Sequence, residues 1–119
     1  MSRSELKWVL GYSLVLAAIT SLPYLVAARN QGADWRFTGF LFGVEDGNSY
    51  IAKMLSGYQG AWLFRTPYTS LEQLGVLAFL PYLLLGKLAG GSHDFSILAF
   101  HALRVIALPL LVLATHRFI

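Results

Sequence analysis

The sequence predicts an all-α, multi-pass membrane protein: three transmembrane helices plus one interfacial amphipathic helix in a long first loop. Three observations lead there. Of the 119 residues, 56% are hydrophobic and only 13% charged, with a mean hydropathy of +0.59; a water-soluble domain is typically about a quarter charged. Apolar runs recur at close to the roughly 20 residues that cross a bilayer core. The connection between the first two runs is rich in glycine and aromatic residues rather than simply polar.

The first element is a polar head carrying Arg3 and Lys7, then an uncharged run from Trp8 to Ala28. This is span one, 8–28. Trp8 and Tyr24 lie near its ends, where amphipathic rings favour the interface, and Pro23 is expected to kink it. Val26-Ala27-Ala28 has the small residues of a signal cleavage site, but the apolar run exceeds the roughly 7–15 residues of a signal core.

The loop 29–70 follows, with Gly32, Gly39, Gly43, Gly47, Gly57 and Gly60 punctuating it. A connection this long without structure is uncommon, so it should contain a helix. The best candidate is 47–59. At the helical period, Tyr50, Met54, Tyr58, Ile51 and Leu55 fall on an arc about 140° wide, with Asp46 and Lys53 at its boundary. Such a helix can lie flat among lipid headgroups.

Thr69-Ser70-Leu71-Glu72 reads as a capping box, opening a second span over 71–89. Pro81 would bend it, Lys87 would snorkel at its end, and Gly90-Gly91 would stop it. Ser92 or Asp94 can cap a third helix, whose span is 95–115. His101 and Arg104 stand within it, three residues apart and so on one face. An arginine at mid-span costs about 2.5–3.5 kcal/mol on insertion scales, so that face should meet protein or water. The chain is thus read as a single membrane module, 1–119. Arg3 and Lys7 favour a cytoplasmic amino terminus in the cell membrane, with the loop 29–70 outside.

Composition narrows function. The net charge is +3, and the nine lysines and arginines are scattered. Nucleic-acid binding calls for a clustered basic face, so no nucleic acid is expected; the bilayer is the expected partner. With no cysteine, disulfides and thiolate chemistry are excluded. No nucleophile elbow, phosphate-binding glycine loop or zinc-ligand spacing occurs, and no residue is assigned to a metal.

The chemistry, where there is any, concentrates at Glu45-Asp46, the only adjacent acidic pair. Asp46 has two compatible readings: cap of the helix that follows, or general base or metal ligand at the membrane surface. The cations Arg29, Arg36, Lys53 and Arg65 suit a phosphate-bearing lipid, since guanidinium matches phosphate geometry. Tyr50, Tyr58, Trp62 and Tyr68 can anchor in headgroups or stack on a sugar. His101 and Arg104 can join helices or face a substrate phosphate.

This layout resembles the opening of polytopic glycosyltransferases of the C fold. In Glu45-Asp46-Gly47-Asn48-Ser49-Tyr50-Ile51-Ala52-Lys53, the residues Asp46, Tyr50 and Ala52-Lys53 are similar to a pattern found after span one in enzymes that use polyprenyl-phosphate sugars. The resemblance covers 8–89. It implies transfer of a sugar from a polyprenyl-phosphate donor at the outer membrane face. Asp46 would be the catalytic loop aspartate, with Glu45 a second candidate. Tyr50 and Lys53 would contact substrate, joined by Arg65, His101 and Arg104 from the phosphate argument above. Some members use a divalent metal, which the residues here leave open. Such enzymes carry more spans, so the chain is read as an N-terminal portion, inactive alone. Two other functions stay open: a small non-enzymatic subunit or anchor whose aromatic loop binds a partner membrane subunit, and a transporter fragment using His101 and Arg104.

Overall fold

The computed structural model describes residues 2–118, and these form four helices with no strand. They are α1 (Arg3–Arg29), α2 (Val44–Tyr58), α3 (Leu80–Ala89) and α4 (His93–Phe118). The chain divides into two compact units: residues 2–41 with 102–118, and residues 42–101. Helix α4 contributes its first turns to the second unit and the remainder to the first.

In the first unit α1 opens on a reciprocal cap. The Glu5 N–H donates to Ser2 Oγ (3.1 Å) and the Ser2 N–H to Glu5 Oε2 (2.7 Å), satisfying two otherwise orphaned donors. Ser13 and Thr20 donate their hydroxyls back to the carbonyls of Val9 and Leu16, both at 2.7 Å. Those bonds leave little unsatisfied polarity along an otherwise apolar helix. Trp8, near the start of α1, lies 5.6 Å from the ring of His116, near the end of α4. Arg104 reaches Thr20 and Ser21 further along α1. These contacts define an antiparallel pair, with Val9, Ser13 and Val112 buried.

Both long helices are long and apolar enough to cross a membrane, yet only 11% and 6% of their most apolar windows are buried. Span one lies inside α1, and the span expected at 95–115 lies inside α4. Ser92 caps α4 as its sequence suggests, its Oγ accepting the Phe95 N–H.

The second unit corrects the sequence reading at two places. The expected second span over 71–89 is not one helix. Residues 71–79 are non-helical, and α3 covers ten residues, about 15 Å at 1.5 Å per residue. That is half of a roughly 30 Å hydrocarbon core. The reason is Pro81. It occupies the first turn of α3, where a missing N–H costs nothing, whereas inside a longer helix it would break the ladder. The supposed capping box serves a tight turn instead, with Thr69 Oγ1 accepting the Leu71 N–H. Before α3, Phe64 and Val76 pair through both backbone hydrogen bonds (2.8 and 3.0 Å). Gln73 extends that pairing with its side chain, accepting from the Thr66 N–H and donating to the Thr66 carbonyl. Residues 62–79 thus form a closed hairpin-like excursion.

The second correction concerns α2, which begins at Val44 rather than Gly47. Its cap is Gly43, at φ +58, a left-handed conformation that favours glycine. Asp46 therefore sits in the first helical turn and is not the cap.

Helices α2 and α3 pack backbone against backbone. A Cβ on Gly57 would collide with the Leu83 carbonyl, and one on Gly86 with the Met54 carbonyl. Met54 and Leu83, beside these glycines, are 0% exposed. Gly86→Ala should therefore destabilise the unit by about 1–3 kcal/mol, the usual cost of overpacking. Gly11→Ala, where no atom lies within 4 Å, should leave stability unchanged or slightly raised. Detergent-solubilised unfolding of the two variants checks both.

Candidate functional site

The sequence-predicted residues gather chiefly on α2. Residues 46, 50, 53 and 57 recur at helical spacing, so Asp46, Tyr50, Lys53 and Gly57 share one face. At the Gly57 end that face is covered by α3; at the Asp46 end it is open.

Lys53 is the unexpected feature. The apolar pattern placed it at the edge of the helix, but it is only 6% exposed. Its ammonium donates to Ser49 Oγ (2.6 Å) and the Ser49 carbonyl (3.4 Å). It also lies over three aromatic faces: Phe79 at 4.6 Å, Tyr50 at 5.0 Å and Phe64 at 5.7 Å. No carboxylate pairs with it among the described residues. Ring quadrupoles attract a cation, more strongly where water is excluded, so this box gives a buried lysine a stable place.

Phe79 has φ +54, the one positive φ of a non-glycine residue among the described residues. Such a conformation costs about 1–3 kcal/mol. It turns the chain into α3 and sets the Phe79 ring edge-on to Phe64, centroids 4.8 Å apart, beneath the ammonium.

Tyr50 belongs to a second aromatic group. Its ring stacks on Tyr82 (4.6 Å) and on Phe100 (5.6 Å). Burial pushes the Tyr82 phenol above its ordinary pKa, and the adjacent Tyr50 phenol adds to the shift. The hydroxyl of Tyr82 thus stays protonated through the neutral range.

Asp46 and Glu45 stand exposed in the first turn of α2, where acidic residues complement the helix dipole. Neither makes a side-chain hydrogen bond or ion pair among the described residues. Along the axis, Asp46 precedes Lys53 by about 10 Å, seven residues at 1.5 Å each. The arrangement offers an accessible, helix-held carboxylate backed by a phenol and a buried cation. No group of three or more His, Asp or Glu side chains suited to a metal occurs among the described residues.

The remaining candidates lie on other elements. Arg65 is exposed on the excursion 62–79. His101 lies in α4, edge-on to Phe100 at 5.5 Å. Arg104 is engaged by α1: Nη1 donates to the Thr20 carbonyl (3.1 Å), Nη2 to Ser21 Oγ (2.9 Å), and the guanidinium lies 5.0 Å from the Tyr24 ring centroid. Pro23 lacks the N–H that would bond the Ile19 carbonyl, so α1 is weakest in the turn that Arg104 reaches. Of the two roles open to Arg104, the observed contacts are those of a helix joint.

Comparison with known protein families, characterised proteins and solved structures returns no match for this chain. Fold and site define a class only: an all-helical protein with two helices of membrane-crossing length and apolarity, and a compact helical unit in the sequence that connects them.

Two substitutions separate these roles. Lys53→Ala should cost about 2 kcal/mol or more, from lost stem burial and ring contacts, and should loosen Phe64 and Phe79, seen as faster hydrogen exchange at the Phe64–Val76 pair. Arg104→Ala should cost about 1–2 kcal/mol in SDS-driven unfolding. Ser21→Ala, which removes one of its two bonds, should cost less.

Proposed function

We propose that this chain is a membrane module of a glycosyltransferase that moves a sugar from a polyprenyl-phosphate donor at the outer membrane face. The carrying observation is the α2 face, with the accessible Asp46 carboxylate one turn before Tyr50 and two before the caged Lys53. That order matches the short pattern on which the resemblance to C-fold enzymes rests. Asp46 serves as the catalytic carboxylate, taking the proton of the attacking hydroxyl as general base. Glu45, its neighbour in the same turn, adds negative charge at the mouth of the face. Tyr50, its ring stacked on Tyr82 and Phe100, offers its hydroxyl to the sugar, and Arg65, on the excursion 62–79, a cation to a donor phosphate.

The topology that suits this reading has two crossings, α1 and α4. Their side chains are largely uncovered by protein, as helices solvated by lipid would be. Because the pair is antiparallel, Arg3 and Lys7 lie on the same side as Arg117. The reading takes this end, with its short basic head, as cytoplasmic. The α2–α3 unit is then extracytoplasmic, where polyprenyl-linked sugars would be used.

A second reading keeps the membrane but drops the chemistry. The excursion 62–79 exposes large apolar side chains, which suits a non-enzymatic subunit that docks on another component.

The test is Asp46→Asn in the full-length context, in membranes, assayed for transfer from a radiolabelled polyprenyl-phosphate sugar. Loss of at least about 10²-fold in rate with normal protein level supports the catalytic assignment, in line with the usual contribution of a general base. Retained transfer refutes it.

A further inference from the structure

We propose that the excursion 62–79 is a membrane-docking hairpin, which lays its leucines into the boundary between lipid headgroups and acyl chains. The proposal concerns the bilayer and does not rest on the sugar-transfer reading.

The surface itself is the first argument. Leu74 is 94% exposed, and Leu71, Leu77 and Tyr68 each more than 70%. Exposed apolar side chains concentrated in one short segment mark an interaction site. Between residues 62 and 79 the only charges are Arg65 and Glu72.

The backbone is the second. An irregular segment is excluded from a non-polar medium by its unpaired N–H and C=O groups. Here the pairing of Phe64 with Val76 closes the base, and the Gln73 side chain supplies the two bonds that Thr66 would otherwise lack. Pro67 carries no N–H to satisfy. Gly75 lets the two arms close, since a Cβ there would stand 2.7 Å from Leu63 Cβ. The excursion holds a fixed shape and leaves its apolar side chains outward, and its remaining unpaired backbone groups limit it to shallow insertion.

The third argument selects the occupant. The hairpin runs directly into α3, and only Gly90, Gly91 and Ser92 separate α3 from α4, a helix of membrane-crossing length and apolarity. The segment is therefore joined in the chain, through α3 and three residues, to a helix able to enter a bilayer. Its flanks carry the side chains of an interface. The Trp62 ring is exposed and held from behind by the Lys87 ammonium, 4.4 Å from its centroid, while the exposed Arg65 is free to meet anionic headgroups. Tryptophan and tyrosine settle at this depth, and lysine and arginine near it are drawn to anionic lipid.

The absence of native cysteine makes a direct test simple. Leu71→Cys, Leu74→Cys and, as reference, Asn48→Cys on the exposed polar side of α2 are each labelled with the fluorophore NBD. The full chain is then reconstituted in phosphatidylcholine–phosphatidylglycerol vesicles. Labels at 71 and 74 should emit to the blue of the label at 48. Their ratio of quenching by a shallow lipid-borne nitroxide to quenching by aqueous iodide should be several-fold higher. Iodide quenching at 71 and 74 equal to that at 48 would overturn the proposal, placing the hairpin in water. Shielding from both quenchers would overturn it as well, showing a protein surface on the hairpin.

Discussion

Gly57 and Gly86 bring two backbones into a contact that no other residue would permit. Each glycine leaves a space that the other helix fills with a carbonyl group, Leu83 against Gly57 and Met54 against Gly86. Such closeness matters most when one helix is short. Ten residues of α3 have little intrinsic helical stability, so α3 depends on α2 for its partner. Once the two are joined, Tyr82 meets Tyr50 and Phe79 comes beneath Lys53. The aromatic groups on both sides of the α2 face thus follow from one small-residue contact.

The Lys53 box shows how a costly group and a strained one can support each other. A lysine without a carboxylate partner is expensive to bury. A phenylalanine in the left-handed region is strained. Placed together, the Phe79 ring faces the ammonium, and the lysine stem fills the space between α2 and the base of the hairpin. The result is rigid support behind Tyr50, two turns from an exposed carboxylate.

The long helices meet a different constraint. Their apolar sides are scarcely covered by protein, and a polar joint adds to the few buried contacts between them. Arg104 gives two hydrogen bonds and a ring contact to the stretch of α1 bordering Pro23. Where lipid and side chain are equally apolar, polar joints of this type help to fix how helices pair. The residue that looked out of place in an apolar run hydrogen-bonds its neighbour.

The sequence by itself determined the all-helical class and both long apolar helices, because hydrophobic run length and charge exclusion are local properties. It also located α2 to within a turn or so, and the acidic pair, from glycine punctuation and helical period. It misplaced the second span because composition cannot show whether an apolar stretch is one helix or a hairpin followed by a short one. Pro81 carried that information, but a proline kink inside a span and a proline opening a helix look alike in sequence. Lys53 was misjudged for a related reason. A period of 3.6 ranks faces by the polarity of their own side chains, whereas burial here is decided by Gly57, which contributes no hydrophobicity, and by three rings, two of them from residues 64 and 79. Only the tertiary structure assigned Arg104 to α1. A shared helical face shows which residues point the same way, but not what they meet.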